Sequence, residues 1–148
     1  MTPLKANIPD ISEDNEINDL PVGLKTTVCW TVRDEDLEAF ISLSGDRNPL
    51  HIDQDYAVQN GFDAPVIHGF LICAKMSGLI GMTLPGRRCL LVSEELEFPN
   101  PLYVGDLVEI HAQIKERHLD LKLIRLKIVA KKGQVTVARG SITCKILF

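Results

Sequence analysis

The sequence predicts a domain of the α+β class, in which an antiparallel sheet wraps one apolar helix. Two observations carry this. From Ile67 to Leu84 the chain is apolar nearly all round, interrupted only by His68, Lys75 and small residues, and such a helix belongs in the centre of a domain. After it come four stretches, residues 88–98, 106–117, 121–132 and 134–148, in which apolar and polar residues alternate as they do along half-buried strands. A chain of 148 residues is long enough for one such domain with a real core.

Taken in order, residues 1–24 hold Pro3, Pro9 and Pro21 and turn acidic from Asp10 to Asp19, so they read as an extended or flexible arm. Residues 25–32, KTTVCWTV, are rich in β-branched and aromatic types and predict a strand. Residues 34–45 predict a short helix: Asp34 suits its cap, Glu35 and Asp36 suit the positive end of its dipole, and Gly45 suits its end. Pro49 disfavours the α conformation at Asn48, which predicts an extended or turned chain there. Residues 53–61 predict one or two further helical turns closed by Gly61, and KKGQ near 131–134 predicts a hairpin turn. The division that follows is an arm, 1–24, and a single domain, 25–148.

Composition narrows the function. A net charge of −4, with Arg87-Arg88 and Lys131-Lys132 the only adjacent basic pairs, argues against nucleic acid or an anionic membrane as partner. Cys29, Cys73, Cys89 and Cys144 show no CxxC spacing and sit among apolar neighbours, which suits free thiols in a reducing compartment. No run reaches the roughly 18 consecutive apolar residues of a membrane span, and no basic start leads into an apolar stretch, so the expectation is a cytoplasmic protein.

The densest chemistry lies in SGDRNPLHID, residues 44–53. Asp46 and His51 offer an acid and a base near neutrality, provided the loop folds back to bring them together. The alternative is a capping aspartate and a surface histidine. His68-Gly69 opens the apolar helix, where unpaired amides and the dipole favour an oxyanion and glycine admits a close approach. Alternatively, Gly69 packs on a strand and His68 bonds locally. Ser77 would bond back to its own helix and Lys75 would snorkel outward. His111 and His118 have no assigned role. The sequence contains no GxSxG elbow, no Walker loop and no dinucleotide fingerprint. His51, Asp53 and Asp55 lack the ligand count and helical spacing of a zinc site, so neither metal nor cofactor is expected. Phe70, Cys73 and Met76 lie on a helix face that can border a substrate tunnel or simply pack.

At this point a resemblance emerges. SGDRNPLHID, together with APVIHGFL (64–71), SGLIG (77–81) and LEFPNPLYVGD (96–106), resembles the MaoC-like dehydratases and (R)-specific enoyl-CoA hydratases. The match spans about residues 26–146. It implies the hot-dog fold, a long central helix wrapped by an antiparallel β-sheet, paired as a homodimer with its sites near the dimer interface. It implies a hydro-lyase that reversibly hydrates trans-2-enoyl thioesters to (R)-3-hydroxyacyl thioesters, carried on coenzyme A or acyl carrier protein. Asp46 and His51 match the family's catalytic pair, and Asn48 its loop asparagine. Gly69 matches the amide that receives the thioester oxygen, and Ser77 the active-site serine. Glu94 departs from the neutral amide frequent in relatives, and the acidic arm lies outside the match. A hot-dog thioesterase and a non-catalytic acyl-thioester-binding module are the rival readings.

Overall fold

The computed structural model describes residue 9 and residues 12–148. The part of the expected arm at residues 1–8, 10 and 11 lies outside the described residues. Of the described residues before the first strand, Glu13, Asp14 and Leu20 are packed on the domain. Glu13 N–H donates to Met82 O at 2.9 Å, Arg87 N–H donates to Glu13 O at 2.9 Å, and Asp14 bridges to Gly86. A 3₁₀ turn, Ile17–Asp19, follows, and Leu20 is fully buried.

The elements are β1 (Lys25–Thr31), α1 (Asp34–Ser44), α2 (Pro49–Ile52), α3 (Gln54–Gln59), α4 (Gly69–Met82), β2 (Cys89–Glu97), β3 (Leu107–His118), β4 (Leu123–Lys132) and β5 (Val135–Ile146). The five strands form one antiparallel sheet in the order β1-β3-β4-β5-β2. The period-2 pattern seen in the sequence is what buries one face. Val108, Ile110, Ala112 and Ile114 of β3 and Ile124, Leu126, Ile128 and Ala130 of β4 point into the core with Val28 and Trp30 of β1. Leu71, Ile72, Met76, Leu79 and Ile80 of α4 fill the same core. Each such side chain contributes about 1.5–3 kcal/mol through burial alone.

Three expectations need correction. First, α4 is not buried all round: Phe70 is 75% exposed and Ser77 is exposed, because none of the described residues covers that stripe. Second, the alternation in β2 does not translate into burial. This edge strand pairs only with β5, and Leu90, Leu91 and Val92 remain half exposed. Third, the cap of α1 is Arg33, not Asp34. Asp36, three residues on, takes the Arg33 N–H at 3.2 Å.

Asp36 does more than close that turn. Its carboxylate accepts from Trp30 Nε1–H at 3.0 Å and from Lys75 Nζ at 3.3 Å, and pairs with the Arg33 guanidinium at 3.3 Å. Lys75 therefore does not snorkel outward but ties α4 to α1, with its ammonium 5.1 Å from the centre of the Trp30 ring. Gly45 ends α1 at φ 74°, a left-handed conformation in which a side chain would be strained, and the loop leaves toward the N-terminus of α4. At Gly140, a Cβ would overlap the Glu95 carbonyl, so glycine lets β2 lie close along β5. Among the described residues, no helix is long and apolar enough to cross a membrane.

Candidate active site

Three loops converge where α4 begins. After Gly45, Ser44 Oγ accepts the Asp46 N–H at 3.1 Å, and Asp46 Oδ1 accepts the Asn48 N–H at 3.0 Å. Asn48 then caps α2, its Oδ1 taking the Leu50 N–H at 3.0 Å with Pro49 in the first helical position. This chain of short side-chain-to-backbone bonds makes the segment double back. His51 thereby comes to face Asp46, with Nε2 3.9 Å from Asp46 Oδ2. Asn48 thus holds the loop.

The state of the His51 ring follows from its other nitrogen. Nδ1 lies 2.6 Å from the Val66 carbonyl oxygen, which can only accept, so Nδ1 carries the hydrogen. In the neutral ring Nε2 then presents its lone pair toward Asp46. Val66 is held in turn by its own N–H donating to Leu50 O at 3.0 Å. Asp46 and His51 are too far apart for a direct hydrogen bond, but their separation suits one small molecule touching both.

Beside them opens a cavity of about 360 Å³ lined by His51 and Gly69. Its apolar wall comes from Phe62, Ile72 and Leu102 and from the Phe98 ring. Gly69 stands at the first position of α4, where amides lack intrahelical acceptors and the macrodipole is positive. A Cβ on Gly69 would meet the Phe98 ring at 3.3 Å. A second cavity of about 400 Å³ lies across Phe98, lined by Phe70, Cys73 and Glu94, and it also touches Gly69. Met76 lines neither cavity and is fully buried in the core. Burial, with the nearby Glu94 charge adding to it, pushes the Cys73 thiol up to about 11. That thiol is therefore no nucleophile at neutral pH.

Of the residues singled out by sequence, Asp46, Asn48, His51 and Gly69 are brought together. Ser77 is not. It lies eight residues beyond Gly69 along α4, about 12 Å, on the exposed stripe with Phe70. Sequence reasoning also left His68 with a purely local bond, whereas its buried ring lies against His51 at 3.7 Å. The Val66 carbonyl and the cavity wall from residues 98–102 were not singled out either. The wall sits within a stretch carrying the resemblance, but a main-chain carbonyl leaves no mark in a sequence.

The donor set does not favour a metal. Ligand atoms of Asp46, His51 and His68 lie within 4.8 Å of one another. However, His68 Nε2 is 3.2 Å from the Asp46 carbonyl oxygen, so it carries a hydrogen and has no lone pair to give. Two ligands remain, short of the three protein ligands of a catalytic zinc site. Asp53, weighed earlier beside His51, caps α3 by accepting the Tyr56 N–H at 3.0 Å.

A single antiparallel sheet around one helix, with an acid, an imidazole and an open helix N-terminus about one cavity, defines a hot-dog protein built for acid–base chemistry. The MaoC-like domain family model matches residues 19–138, and the chain belongs to that family. It is 32% identical over 120 residues to an (R)-specific enoyl-CoA hydratase of Aeromonas caviae, covering 80% of this chain and 90% of that one. It is 29% identical over 128 residues to a 3-hydroxybutyryl-CoA dehydratase of Methylorubrum extorquens, covering 86% and 82%. The solved (R)-hydratase from A. caviae superposes with a TM-score of 0.81 at 30% identity, over 86% of this chain and 97% of that one. The resemblance and the hot-dog fold expected from the four motifs are thus borne out.

Proposed function

We propose that this chain is a hydro-lyase that reversibly adds water across trans-2-enoyl thioesters, giving (R)-3-hydroxyacyl thioesters. One observation carries the reading. The His51 Nε2 lone pair and Asp46 Oδ2 face each other across 3.9 Å beside a cavity that also reaches Gly69. The named activities of the relatives support it, since hydratase and dehydratase are two directions of one reaction.

Water sits between Asp46 and His51. His51 Nε2 takes one proton of the water as the oxygen attacks Cβ, and Asp46 relays that proton from His51 to Cα, so that both side chains end as they began. Charge that develops on the thioester oxygen is met by the Gly69 N–H and the dipole of α4. Asn48 keeps the loop in register. Acid–base help of this kind is worth about 10²–10⁴ in rate, and one oxyanion donor about 10²–10³. Ser77, about 12 Å along α4 from Gly69, meets a part of the bound substrate remote from the thioester group. The half-exposed Leu90, Leu91 and Val92 of β2, with Phe70, are the surface that a second copy covers, giving a homodimer. We place residues 25–148 as the catalytic domain with 1–24 as its arm, in the cytoplasm, acting on coenzyme A or acyl-carrier-protein thioesters.

The test is turnover of crotonyl-CoA followed by loss of the enoyl absorbance. Hydration without release of free thiol supports the reading. Thiol release with the enoyl group intact would instead make the chain a thioesterase, and binding with no change would make it a carrier.

A further inference from the structure

His68 is the only polar or charged side chain fully buried among the described residues, at 2% exposure. Its surroundings go beyond what packing alone requires. Nε2–H donates to the Asp46 carbonyl at 3.2 Å, and the same nitrogen lies 3.6 Å from Asp46 Oδ2. One face of the ring stacks on His51, with centroids 3.7 Å apart and planes 26° from parallel. Phe40 of α1 packs against it at 4.9 Å. His68 is also the N-cap of α4, so its backbone leads directly into Gly69. One ring therefore touches the acid's main chain and the face of the base, and its own main chain sets the helix end.

The chemistry of the ring is as specific as its placement. Nδ1 is buried with no protein partner, so protonating it would place a charged N–H where nothing accepts. Burial pushes this imidazole below its usual range, only partly offset by its bond to Asp46. Kept neutral, it offers His51 a π face without competing for the proton. When His51 is protonated, that face favours its charge. Among the described residues, the ion pairs recorded at these two rings are to Asp46 alone, and Phe40 on the α1 side carries no charge.

We propose that His68 is a positioning residue for the hydration step, holding Asp46 at its distance from His51 through the main-chain bond and supporting the His51 imidazolium by stacking. This rests on the reading of Asp46 and His51 as the reacting pair.

The two parts separate by substitution. His68→Phe keeps a ring against His51 but loses the N–H to Asp46. His68→Gln keeps an N–H but loses the ring. In the full-length protein, with folding checked by circular dichroism, we expect His68→Phe to lower kcat on crotonyl-CoA at least tenfold. KM should change less than about threefold and the acid limb of kcat/KM should stay in place. For His68→Gln, that limb should move to lower pH by at least about half a unit, the size of a weak cation–π contact. Folded variants that both keep kcat within twofold and the acid limb unmoved would make His68 a packing residue and overturn the proposal. Either variant alone suffices if the other fails to fold. Asp46→Asn and His51→Ala run alongside. Full turnover by both sinks the underlying reading, whereas their inactivity beside normal His68 variants sinks only this proposal.

Discussion

Two aspartates stand at opposite ends of α1, ten residues apart, and they are held in opposite ways. Asp36 receives an indole N–H, a guanidinium and an ammonium, and its side chain is 10% exposed. Burial alone would raise its carboxyl. The Trp30 and Arg33 hydrogen bonds and the Lys75 charge outweigh that and hold it at about 2. Asp46 has one backbone N–H on Oδ1, two imidazoles at distances too long for a hydrogen bond, and 47% of its side chain in solvent. The first carboxylate has its partners and fastens the fold. The second keeps an oxygen free for something that is not protein. Satisfaction of its hydrogen bonds, together with burial, is what separates the structural acid from the one proposed to react.

Substitution can break this contrast or sharpen it. The largest effect is expected at the open end. Asp46→Asn and His51→Ala should each lower kcat for crotonyl-CoA by about 10²–10⁴, with a melting curve close to that of the parent. Asp36→Asn should do the reverse. It should cost about 2 kcal/mol in urea unfolding at pH 7 while activity per folded molecule persists. Because the folded carboxyl titrates lower than the unfolded one, its contribution is complete above about pH 4. It fades as pH falls toward 2, so the parent and Asp36→Asn should converge in acid. If instead Asp36→Asn abolished turnover at full stability, the two roles would be misassigned. A smaller effect is expected at Gly69→Ala. The amide remains, but the new methyl presses the Phe98 ring at 3.3 Å, so turnover should fall roughly tenfold, less than outright loss of a donor. Ser77→Ala should be the mildest, with KM raised about fivefold at most, the worth of one neutral hydrogen bond.

The contrast also marks what the sequence discloses. Alternation along β3 and β4 and the apolar run of α4 announced the sheet and the core helix, because burial on one face is written as a period. Gly45 announced the end of α1, because glycine enters the left-handed conformation freely, and Pro49 announced the extended chain at Asn48, because it restricts the residue before it. The pairing of Asp46 with His51 was legible only through four motifs together, since five residues of chain can as easily hold those groups far apart. The engagement of Lys75 by Asp36 and the stacking of His68 on His51 join residues 39 and 17 positions apart, and no local pattern encodes them. The exposure of β2 and of one stripe of α4 misled the periodic reading for a related reason: apolar residues left at the surface look the same in a sequence as residues placed for a core.

The Val66 carbonyl that fixes the His51 ring belongs to the main chain. Val66→Ala would leave that oxygen where it is, and the position would look dispensable by that measure. Replacing the Val66–Ile67 amide with an ester weakens the carbonyl as an acceptor without touching any side chain. The group that sets this imidazole's tautomer thus comes with the path of the main chain, and the side chain of residue 66 has no part in it.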